Sequence, residues 1–321
     1  MRYAMTGATG FIGGALAHEL RRAGHDVVAL VRDPAQAGAL TDIGCELVAG
    51  DLADQSALEA LCGGADGLFH VAGWYKLGTR HPEDGERINV EGTRNVLAAA
   101  RRTGVARTVY TSTCAINSDT RGVAVDESYR FEGTHISAYD TTKAQAHAVA
   151  VAEAQSGLDI VIVQPGLVYG PGDTSQTGDL IAAVVTGDRP LAPAVGGKSW
   201  SYIDDIVSGH VRAMERGRSG ESYIICGPEA TLAEGLRIAA DVAGTAGPRT
   251  LPGGAVRAVA AIVGVIIEKV VPVPAGFAGE TLRSAVASYL GDPAKAIAEL
   301  GWSSRGIREG MIPTVAWLRA R

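Results

Sequence analysis

The stretch MRYAMTGATGFIGG, residues 1–14, puts a short apolar run directly before a glycine-rich loop. The apolar run predicts a strand, and the helix-forming residues after the loop predict a helix. The glycines, spaced three apart, allow a tight turn and close approach of the backbone to a pyrophosphate, and amides at a helix start attract phosphate. The stretch predicts a dinucleotide-binding loop, with a purely structural turn as the alternative. The candidate contacts are Gly7, Thr9, Gly10, Phe11, Ile12 and Gly13.

Beyond this loop, short apolar runs alternate with helical patterns through the first half of the chain. Runs such as DVVALV and DIVIVQPG are rich in β-branched residues, which is typical of parallel strands covered on both faces. The pattern predicts an α/β fold, a Rossmann-type doubly wound parallel sheet. After residue 166 it changes, and we expect SYIDDIVSGHVRAME and ESYIICG to return to the sheet. The predicted dinucleotide-binding domain is therefore 1–165 plus about 200–227. A smaller interleaved substrate-binding domain would comprise 166–199 plus 228–321.

Charge and cysteine content narrow the classes of partner. The 321 residues carry a net charge of −6, and the arginines are scattered, so we expect no nucleic acid partner. The four cysteines lie far apart without a C-x-x-C pair, which argues against a metal site or a disulfide framework. A small-molecule substrate and a reducing cytoplasm fit this composition best.

No stretch predicts export or an integral membrane segment. The first residues lack the features of a signal peptide. The apolar segment 258–267, AVAAIVGVII, would span only about half of a bilayer core. We expect a buried helix there, with contact to a membrane surface as the alternative.

The end of the second predicted strand bears on the choice of dinucleotide. NAD-selective domains usually carry an acidic residue at this strand tip, which holds the ribose 2′-hydroxyl. Here Val31 removes the carboxylate that would repel a 2′-phosphate, and the Arg32 guanidinium can bind that phosphate. The sequence favours NADP(H), with NAD(H) as the alternative. A surface Arg32 that pairs with Asp33 is the non-functional interpretation.

The segment ISAYDTTKAQAHAVA, residues 136–150, places Lys143 one helical turn after Tyr139. The chain contains only five lysines against 24 arginines, so the pair is a clue to function. A tyrosine that acts as a base near pH 7 needs its pKa lowered by about 3 units, roughly 4 kcal/mol. A lysine four residues along a helix can bring its charge near the phenol and lower that pKa. The alternative is an amphipathic helix with a buried tyrosine and a solvated lysine.

Seven motifs follow one another along the chain: the glycine loop, VAGDL, LFHVAG, INVEGTRNV, YTST, the Tyr139/Lys143 pair and QPGLVYGPGD. In this order they resemble the extended short-chain dehydrogenases/reductases over essentially the whole chain. Within that group the chain is most similar to the dihydroflavonol-4-reductase-like branch, which includes hopanoid-associated sugar epimerases. The similarity lies in LVRDP, in WYKLGTRHPEDGERINVEGTRNV and in the C-terminal segment. The resemblance implies that Asn89 is structural. It implies cofactor contacts at Asp51, Leu52, Ala72, Gly73, Lys143, Pro165 and Gly166. For Asp51, a cap of the helix at 54–62 is the alternative.

The resemblance also implies a catalytic hydroxyl, for which we choose Thr113 where the family usually has serine. Ser112 is the lower-ranked alternative or a cofactor contact, since successive strand side chains face opposite ways. Tyr139 would donate a proton to a carbonyl oxygen that Thr113 also binds, and Lys143 would hydrogen bond the nicotinamide ribose. The implied function is NADP(H)-dependent carbonyl reduction or alcohol oxidation. A homodimer with a four-helix interface is common in the family, and the Tyr139 helix is a candidate for that interface.

Two other functions stay open. One is a sugar or nucleotide-sugar epimerase/dehydratase, although Gly172 stands where many such enzymes have arginine. Lys198, Arg283 or Arg305 are the remaining candidates to bind a diphosphate. The other is a non-catalytic NADP-binding regulatory protein, which the Tyr139/Lys143 pair disfavours.

Several further residues have an ordinary structural interpretation. His70 is expected to be a satisfied strand histidine, and His135 a loop residue. Asp204 and Asp205 are expected to cap a helix with an acidic first turn, with a metal site as the alternative. Six residues could form the wall of a substrate pocket or pack in the interior: Trp74, Tyr75, Leu167, Tyr169, Trp200 and Tyr202.

Overall fold

The computed structural model describes residues 1–78, 81–262 and 279–321. Within these ranges no helix is both long and apolar enough to cross a membrane. Half of the apolar segment 258–267 lies outside the described residues, so its two interpretations stay predictions.

Strands and helices alternate through the first half of the chain. Their order is β1 (Arg2–Thr6), α1 (Phe11–Arg22), β2 (Asp26–Val31), α2 (Gly38–Asp42), β3 (Glu46–Ala49), α3 (Gln55–Cys62), β4 (Gly67–His70), α4 (Glu83–Gly85), α5 (Gly92–Thr103), β5 (Thr108–Thr111), α6 (Ala138–Gln155) and β6 (Ile160–Pro165). A π-helical segment, Glu86–Glu91, joins α4 to α5, and a short 3-10 turn, Cys114–Asn117, follows β5.

The second half is more irregular. It contains β7 (Leu167–Tyr169), α7 (Gln176–Val185), β8 (Leu191–Pro193), β9 (Gly197–Tyr202), α8 (Ile203–Arg216), β10 (Ser222–Ile225), β11 (Glu229–Thr231), α9 (Leu232–Ala243), β12 (Arg249–Leu251), α10 (Gly253–Ile262), α11 (Gly279–Val286) and α12 (Ile307–Arg319).

Seven strands form one parallel sheet in the order β10-β6-β5-β4-β1-β2-β3. Every residue of β4, β5 and β6 is buried, as expected of strands covered on both faces. The predicted doubly wound α/β fold is confirmed. Because the chain runs outward from β1 in both directions, the carboxyl ends of β1 and β4 flank the switch point where such sheets bind ligands.

One part of the predicted return to the sheet is wrong. ESYIICG supplies β10, the seventh strand, as expected. The preceding stretch does not join the main sheet, because β9 pairs with β7 and β11 in a separate three-stranded sheet. Residues Ile203–Arg216 form α8, whose buried side chains recur at helical spacing.

The interior explains why three predicted pocket aromatics lie elsewhere. Tyr169, Trp200 and Tyr202 are almost fully buried in the main core, and the Tyr169 ring packs edge-on against the other two at 5.6 and 5.8 Å. The Tyr169 hydroxyl donates to the Ile307 carbonyl, and Trp200 Nε1 donates to the Ala230 carbonyl. For these three residues the packing interpretation is correct, because all three rings are buried in the core and backbone carbonyls satisfy the polar atoms of Tyr169 and Trp200.

Candidate active site

A cleft of about 1170 Å³ opens at the carboxyl ends of the parallel strands. All the residues that the sequence nominates for catalysis or cofactor binding line it: Gly7, Thr9, Gly10, Phe11, Ile12, Gly13, Arg32, Asp51, Leu52, Ala72, Gly73, Ser112, Thr113, Tyr139, Lys143, Pro165 and Gly166. They come from seven segments that are far apart in the chain. The sheet topology is what brings these segments to one edge.

The glycine loop has no room for side chains at two of its three glycines. Gly7 has a φ of +77°, and a Cβ there would lie 2.5 Å from the amide nitrogen of Ala72. A Cβ on Gly13 would collide with the Gly7 carbonyl oxygen, which is where α1 packs against β1. Gly10 is the N-cap of α1. Because glycine has no side chain, it cannot accept a hydrogen bond from the backbone amides of the first turn, and no such cap is formed among the described residues. First-turn amides next to the cleft suit a phosphate group.

Arg32 lies at the end of β2, on the wall of the cleft. Its side chain is exposed, while Val31 before it is buried. The Asp33 carboxylate accepts hydrogen bonds from the amide of Ala35, at 3.0 Å, and from Gln36 Nε2, at 2.7 Å. None of the ion pairs among the described residues includes Arg32, so the surface pair with Asp33 is not formed.

The Asp51–Leu52 turn follows β3. Asp51 Oδ1 accepts hydrogen bonds from the amides of Ala53, at 2.8 Å, and Asp54, at 3.2 Å. The cap of α3 is Asp54, whose Oδ1 accepts from the Ala57 amide at 3.0 Å. The interpretation of Asp51 as that cap is therefore wrong, because the cap lies three residues later, at Asp54. Asp51 instead fixes the turn that lines the cleft.

Asn89 joins the loop after β4 to α6. Its Oδ1 accepts from the Trp74 amide at 2.7 Å, and its Nδ2 donates to the Trp74 carbonyl at 3.1 Å and to Thr142 Oγ1 at 2.9 Å. The side chain is buried, and these bonds satisfy its amide group. They place Ala72 and Gly73 alongside the residues of α6, which agrees with a structural asparagine.

Tyr139 lies in the first turn of α6, which Ser137 caps through a 3.0 Å bond from the Asp140 amide. The Thr113 side chain opposes the rise in the pKa of the Tyr139 phenol, while Ser112 Oγ bonds His147 Nδ1 at 3.0 Å instead. The Tyr75 ring packs edge-on against Tyr139 at 4.8 Å. Of the two adjacent hydroxyls, Thr113 is thus the one beside the tyrosine.

The electrostatics of this pair differ from the prediction. Lys143 Nζ donates to the Thr111 carbonyl at 2.7 Å and to the Tyr110 hydroxyl at 3.2 Å, and the side chain is 5% exposed. Burial lowers the pKa of Lys143 to about 7, and burial raises the pKa of Tyr139. The expected lowering of the Tyr139 pKa is wrong for this structure, because the loss of hydration outweighs the charge of a lysine that donates elsewhere.

A second polar cluster lines the same cleft beside Tyr139, and most of it could not be foreseen from the sequence. The Tyr289 hydroxyl donates to Asp140 Oδ2 at 3.0 Å. Lys198 Nζ donates to the carbonyls of Ser284 and Ala287 and lies 4.5 Å from the centre of the Tyr289 ring. Burial lowers the pKa of Lys198 to about 7 and raises that of Asp140 to about 6. The local feature that pointed to this cluster was Lys198 itself, because the chain contains only five lysines.

The remaining candidates have structural roles. His70 is fully buried and bonded on both ring nitrogens, which confirms the expectation for it. His135 packs against the Phe131 ring at 4.9 Å. The described residues hold no His/Cys/Asp/Glu group suited to a metal ion.

Asp204 and Asp205 lie in the first turn of α8, as expected, but neither caps it, since the N-cap is Tyr202. Arg305 is bound to Asp205 at 2.9 Å and stacks over the Tyr202 ring. It is therefore no longer a candidate to bind a substrate diphosphate.

The end of β6 completes the cleft. Pro165 and Gly166 line it, and a Cβ on Gly166 would collide with the Ser199 carbonyl oxygen. Glycine is therefore required for β9 to approach β6. That approach carries Lys198 to the cleft on the strand that also holds Ser199.

Known proteins resemble this chain throughout its length. Residues 3–226 match the family described as the NAD dependent epimerase/dehydratase family. A protein of Synechocystis sp., provisionally named dihydroflavonol 4-reductase, is 34% identical over 98% of this chain and 94% of its own length. A 4-hydroxy-2-methyl-3-oxo-4-farnesyl-3,4-dihydroquinoline-1-oxide ketoreductase of Stigmatella aurantiaca is 34% identical over 70% of this chain and 68% of its own.

Among solved structures, that of gox2253 superposes with a TM-score of 0.86 at 31% identity, covering 100% of this chain and 98% of the other. The cleft, the glycine loop and the full-length similarity lead to one assignment. The chain belongs to the NAD dependent epimerase/dehydratase family of enzymes.

Proposed function

We propose that this enzyme is an NADP(H)-dependent oxidoreductase that reduces a carbonyl group, or oxidises the corresponding alcohol. Thr113, Tyr139 and Lys143 would be its catalytic residues. The observation that carries the proposal is that Tyr139, Thr113 and Lys143 line the same cleft as the glycine loop.

The cleft fits a dinucleotide. Gly7 and Gly13 exclude side chains where a pyrophosphate needs close backbone contact, and the start of α1 adds amide donors. When bound, the nicotinamide supplies or accepts the hydride. Asp51 and Leu52 would contact the adenine, Ala72 and Gly73 would flank the dinucleotide, and Pro165 and Gly166 would lie against the nicotinamide.

Arg32 and Val31 support NADP(H) over NAD(H). An exposed guanidinium without an ion-pair partner among the described residues can bind a 2′-phosphate through charge-assisted hydrogen bonds. A buried valine presents no carboxylate that would repel it. NAD(H) is the alternative, in keeping with the family description.

Tyr139 is suited to donate a proton. Because burial raises its pKa, the phenol is protonated at neutral pH, the form needed to protonate a carbonyl oxygen as hydride arrives. Thr113 would bind the same oxygen and orient it. Lys143 would hydrogen bond the ribose and, when protonated, stabilise the phenolate that is left on Tyr139.

The substrate side is proposed to come from the interleaved domain, residues 166–199 plus 228–321. Leu167, Lys198, Ser284 and Tyr289 line the cleft and lie within these ranges. Together with Trp74 and Tyr75 they offer aromatic surface and a few polar groups, which suits a small or moderately hydrophobic ketone. The relatives named as reductases support this class.

We also propose a cytoplasmic enzyme, since its four cysteines are buried thiols. A homodimer through α6 stays a prediction.

The second candidate function is epimerisation or dehydration of a sugar or nucleotide sugar by transient hydride transfer. Lys198 is the observation that favours it, because a cation in the cleft could bind a diphosphate. Gly172, where many such enzymes carry arginine, weakens it. A non-catalytic NADP-binding protein is disfavoured, because Tyr139, Thr113 and Lys143 all line the cleft.

A panel of aldehydes, ketones and nucleotide sugars tests the proposal. We expect a ketone or aldehyde to consume NADPH in a one-to-one ratio with product. An epimerase would convert a sugar substrate and leave the cofactor concentration unchanged, which would overturn the proposal in favour of the second candidate.

A further inference from the structure

Glu280, in the first turn of α11, binds backbone amides of two other segments with its two carboxylate oxygens. Its Oε1 accepts from the Ala138 amide at 2.6 Å, and its Oε2 accepts from the Gly78 amide at 2.7 Å. These partners lie 142 and 202 positions away in the chain. One side chain near the C-terminus therefore joins the start of α6 to the loop that follows β4.

The bond to Ala138 satisfies a backbone group that α6 cannot satisfy itself. Ala138 is the first residue of the helix, and its amide has no acceptor within the helix. The N-cap, Ser137, accepts from the Asp140 amide instead. Glu280 supplies the missing acceptor, and a negative charge is favourable at a helix N-terminus. Because Tyr139 follows Ala138, the carboxylate anchors the turn that carries the proposed proton donor.

The segment 280–289 also holds the residue on the other side of Tyr139. The Tyr289 hydroxyl donates to Asp140 Oδ2 at 3.0 Å, and the Asp140 side chain is buried. Ala138 and Asp140, the two neighbours of Tyr139, are thus both bound to this segment. The position of the Tyr139 ring therefore depends on contacts that come from a distant part of the chain.

The bond to Gly78 fixes the loop that carries Tyr75. The Asn89 side chain holds one end of this loop through the Trp74 amide, at 2.7 Å, and the carboxylate holds the other end. Tyr75 lies between these two points, and its ring packs edge-on against Tyr139 with 4.8 Å between the ring centroids. The carboxylate therefore acts on both members of this ring pair.

Two side chains thus connect the loop to α6 around the ring pair. Asn89 binds the loop before Tyr75 and, through Thr142, the helix after Tyr139. Glu280 binds the loop after Tyr75 and the helix before Tyr139. The two rings therefore lie within a closed frame of hydrogen bonds, which removal of the carboxylate would open.

We propose that Glu280 is a positioning residue that holds Tyr139 and Tyr75 in their relative orientation at the wall of the cleft. The inference rests on the proposed function, in which Tyr139 donates the proton. Glu280 is not among the residues that line the cleft, so it acts through the two segments that it binds. Without it, the loop and the start of α6 move independently, and the phenol faces the reacting carbonyl less often.

The first test observes the ring pair by NMR of protein that is free of cofactor and labelled at the ring ε-carbons of tyrosine. The chain has nine tyrosines, and the Tyr139 signal is assigned by its loss in Tyr139→Phe. Tyr75→Leu should shift this signal, because it removes the magnetic effect of the neighbouring ring. We expect Glu280→Ala to shift it in the same direction, and to add little in the double variant with Tyr75→Leu. An unshifted Tyr139 signal in Glu280→Ala would overturn the proposal.

Amide hydrogen exchange tests the two bonds and begins with the wild-type protein. The amides of Ala138 and Gly78 should both be protected, since each donates to a carboxylate oxygen. Glu280→Gln keeps the size of the side chain but offers one acceptor oxygen in place of two, so at least one of the amides should lose protection. Rapid exchange of both amides in wild type, or full protection of both in Glu280→Gln, would contradict the frame.

Turnover measures the consequence for catalysis. We expect Glu280→Ala to lower kcat for carbonyl reduction by about 10-fold and to leave the KM for NADPH unchanged, because the carboxylate orients Tyr139 and does not contact the glycine loop. Glu234→Ala is the matched control, since Glu234 accepts the Thr231 amide at the start of α9 and does not line the cleft. It should lower the melting temperature and leave kcat unchanged. Equal losses of kcat in the two variants would overturn the positioning role.

The ring signals separate this proposal from the proposed function, because they are recorded without substrate or cofactor. If Tyr139→Phe abolishes carbonyl reduction while Glu280→Ala leaves the Tyr139 signal unshifted, only the positioning role is wrong. If Tyr139→Phe retains full activity, the proposed function is wrong whatever the NMR spectra show.

Discussion

The cleft contains two lysines with similar surroundings, Lys143, which is buried, and Lys198, which is half-buried. Lys143 donates to the Thr111 carbonyl and lies 4.8 Å from the centre of the Tyr110 ring. Lys198 donates to the Ser284 carbonyl and lies 4.5 Å from the centre of the Tyr289 ring. Burial lowers the pKa of both to about 7. Packing alone therefore does not distinguish a catalytic lysine from a binding one.

The two lysines differ in the charged groups that surround them. Asp119 and Asp140 act on Lys198 and oppose the lowering of its pKa. Burial alone accounts for the lowered pKa of Lys143, whose titratable neighbours are neutral. The charge of Lys198 is thus partly fixed by the protein, whereas that of Lys143 responds to whatever binds beside it. We infer that Lys143 takes part in the chemistry and that Lys198 binds the substrate.

The largest expected effect is at Tyr139. Tyr139→Phe removes the proposed proton donor, and general acid catalysis typically contributes 10²–10⁴-fold, so kcat for carbonyl reduction should fall by about 1000-fold. Tyr75→Phe is the matched control, since its ring packs on Tyr139. Steady-state NADPH oxidation measures both. Equal losses in the two variants would contradict the assignment of Tyr139.

The two lysines can be compared directly by the same substitution. Lys143→Met should lower kcat by about 100-fold, because the phenolate left on Tyr139 loses a stabilising cation. Lys198→Met should raise KM for the substrate by about 10-fold and change kcat little, because it loses a binding contact alone. Initial rates over a range of substrate concentrations separate the two parameters. If Lys198→Met acts on kcat instead, the inferred division of roles between the two lysines is wrong.

Asp140, whose charge acts on Lys198, should also affect the stability of the fold. Its folded-state pKa of about 6 lies above the unfolded value, so between about pH 4 and 6 the folded protein binds a proton that the unfolded chain has released. The free energy of unfolding should therefore fall as pH rises through this window, by about 2 kcal/mol.

Asp140→Asn should remove this part of the pH dependence. Denaturant unfolding of both proteins at several pH values between 4 and 7 measures it. A difference between wild type and variant that is constant across this range would show that Asp140 titrates normally.

The smallest expected effect is at the adenosine end, at Arg32. Arg32→Ala should raise the KM for NADPH by about 10-fold and leave that for NADH unchanged, since only NADPH offers the 2′-phosphate. Arg22→Ala is a surface control, because Arg22 is exposed and pairs with Glu19. A parallel loss with both cofactors would remove the basis for the NADP(H) preference.

The same contrast explains what the sequence could predict. The glycine loop and the four-residue spacing of Tyr139 and Lys143 are local patterns, and the structure brings the residues they nominate into one cleft. The Tyr289–Asp140 bond joins residues 149 positions apart, so no local pattern records it.

The pKa of Tyr139 was predicted in the wrong direction. Spacing along a helix shows which groups share a face, but the depth of burial depends on the complete packing. The same limit applies to Tyr169, Trp200 and Tyr202, which occupy the core and not the pocket.

The most direct test of the central claim follows the hydride. The enzyme is incubated with NADPH deuterated at the transferable position and with the best ketone from the substrate panel, beside Tyr139→Phe. We predict that wild type transfers one deuterium to each alcohol formed and consumes one NADPH, while the variant does so about 1000-fold more slowly. Product without deuterium, or conversion at constant NADPH, would contradict the account.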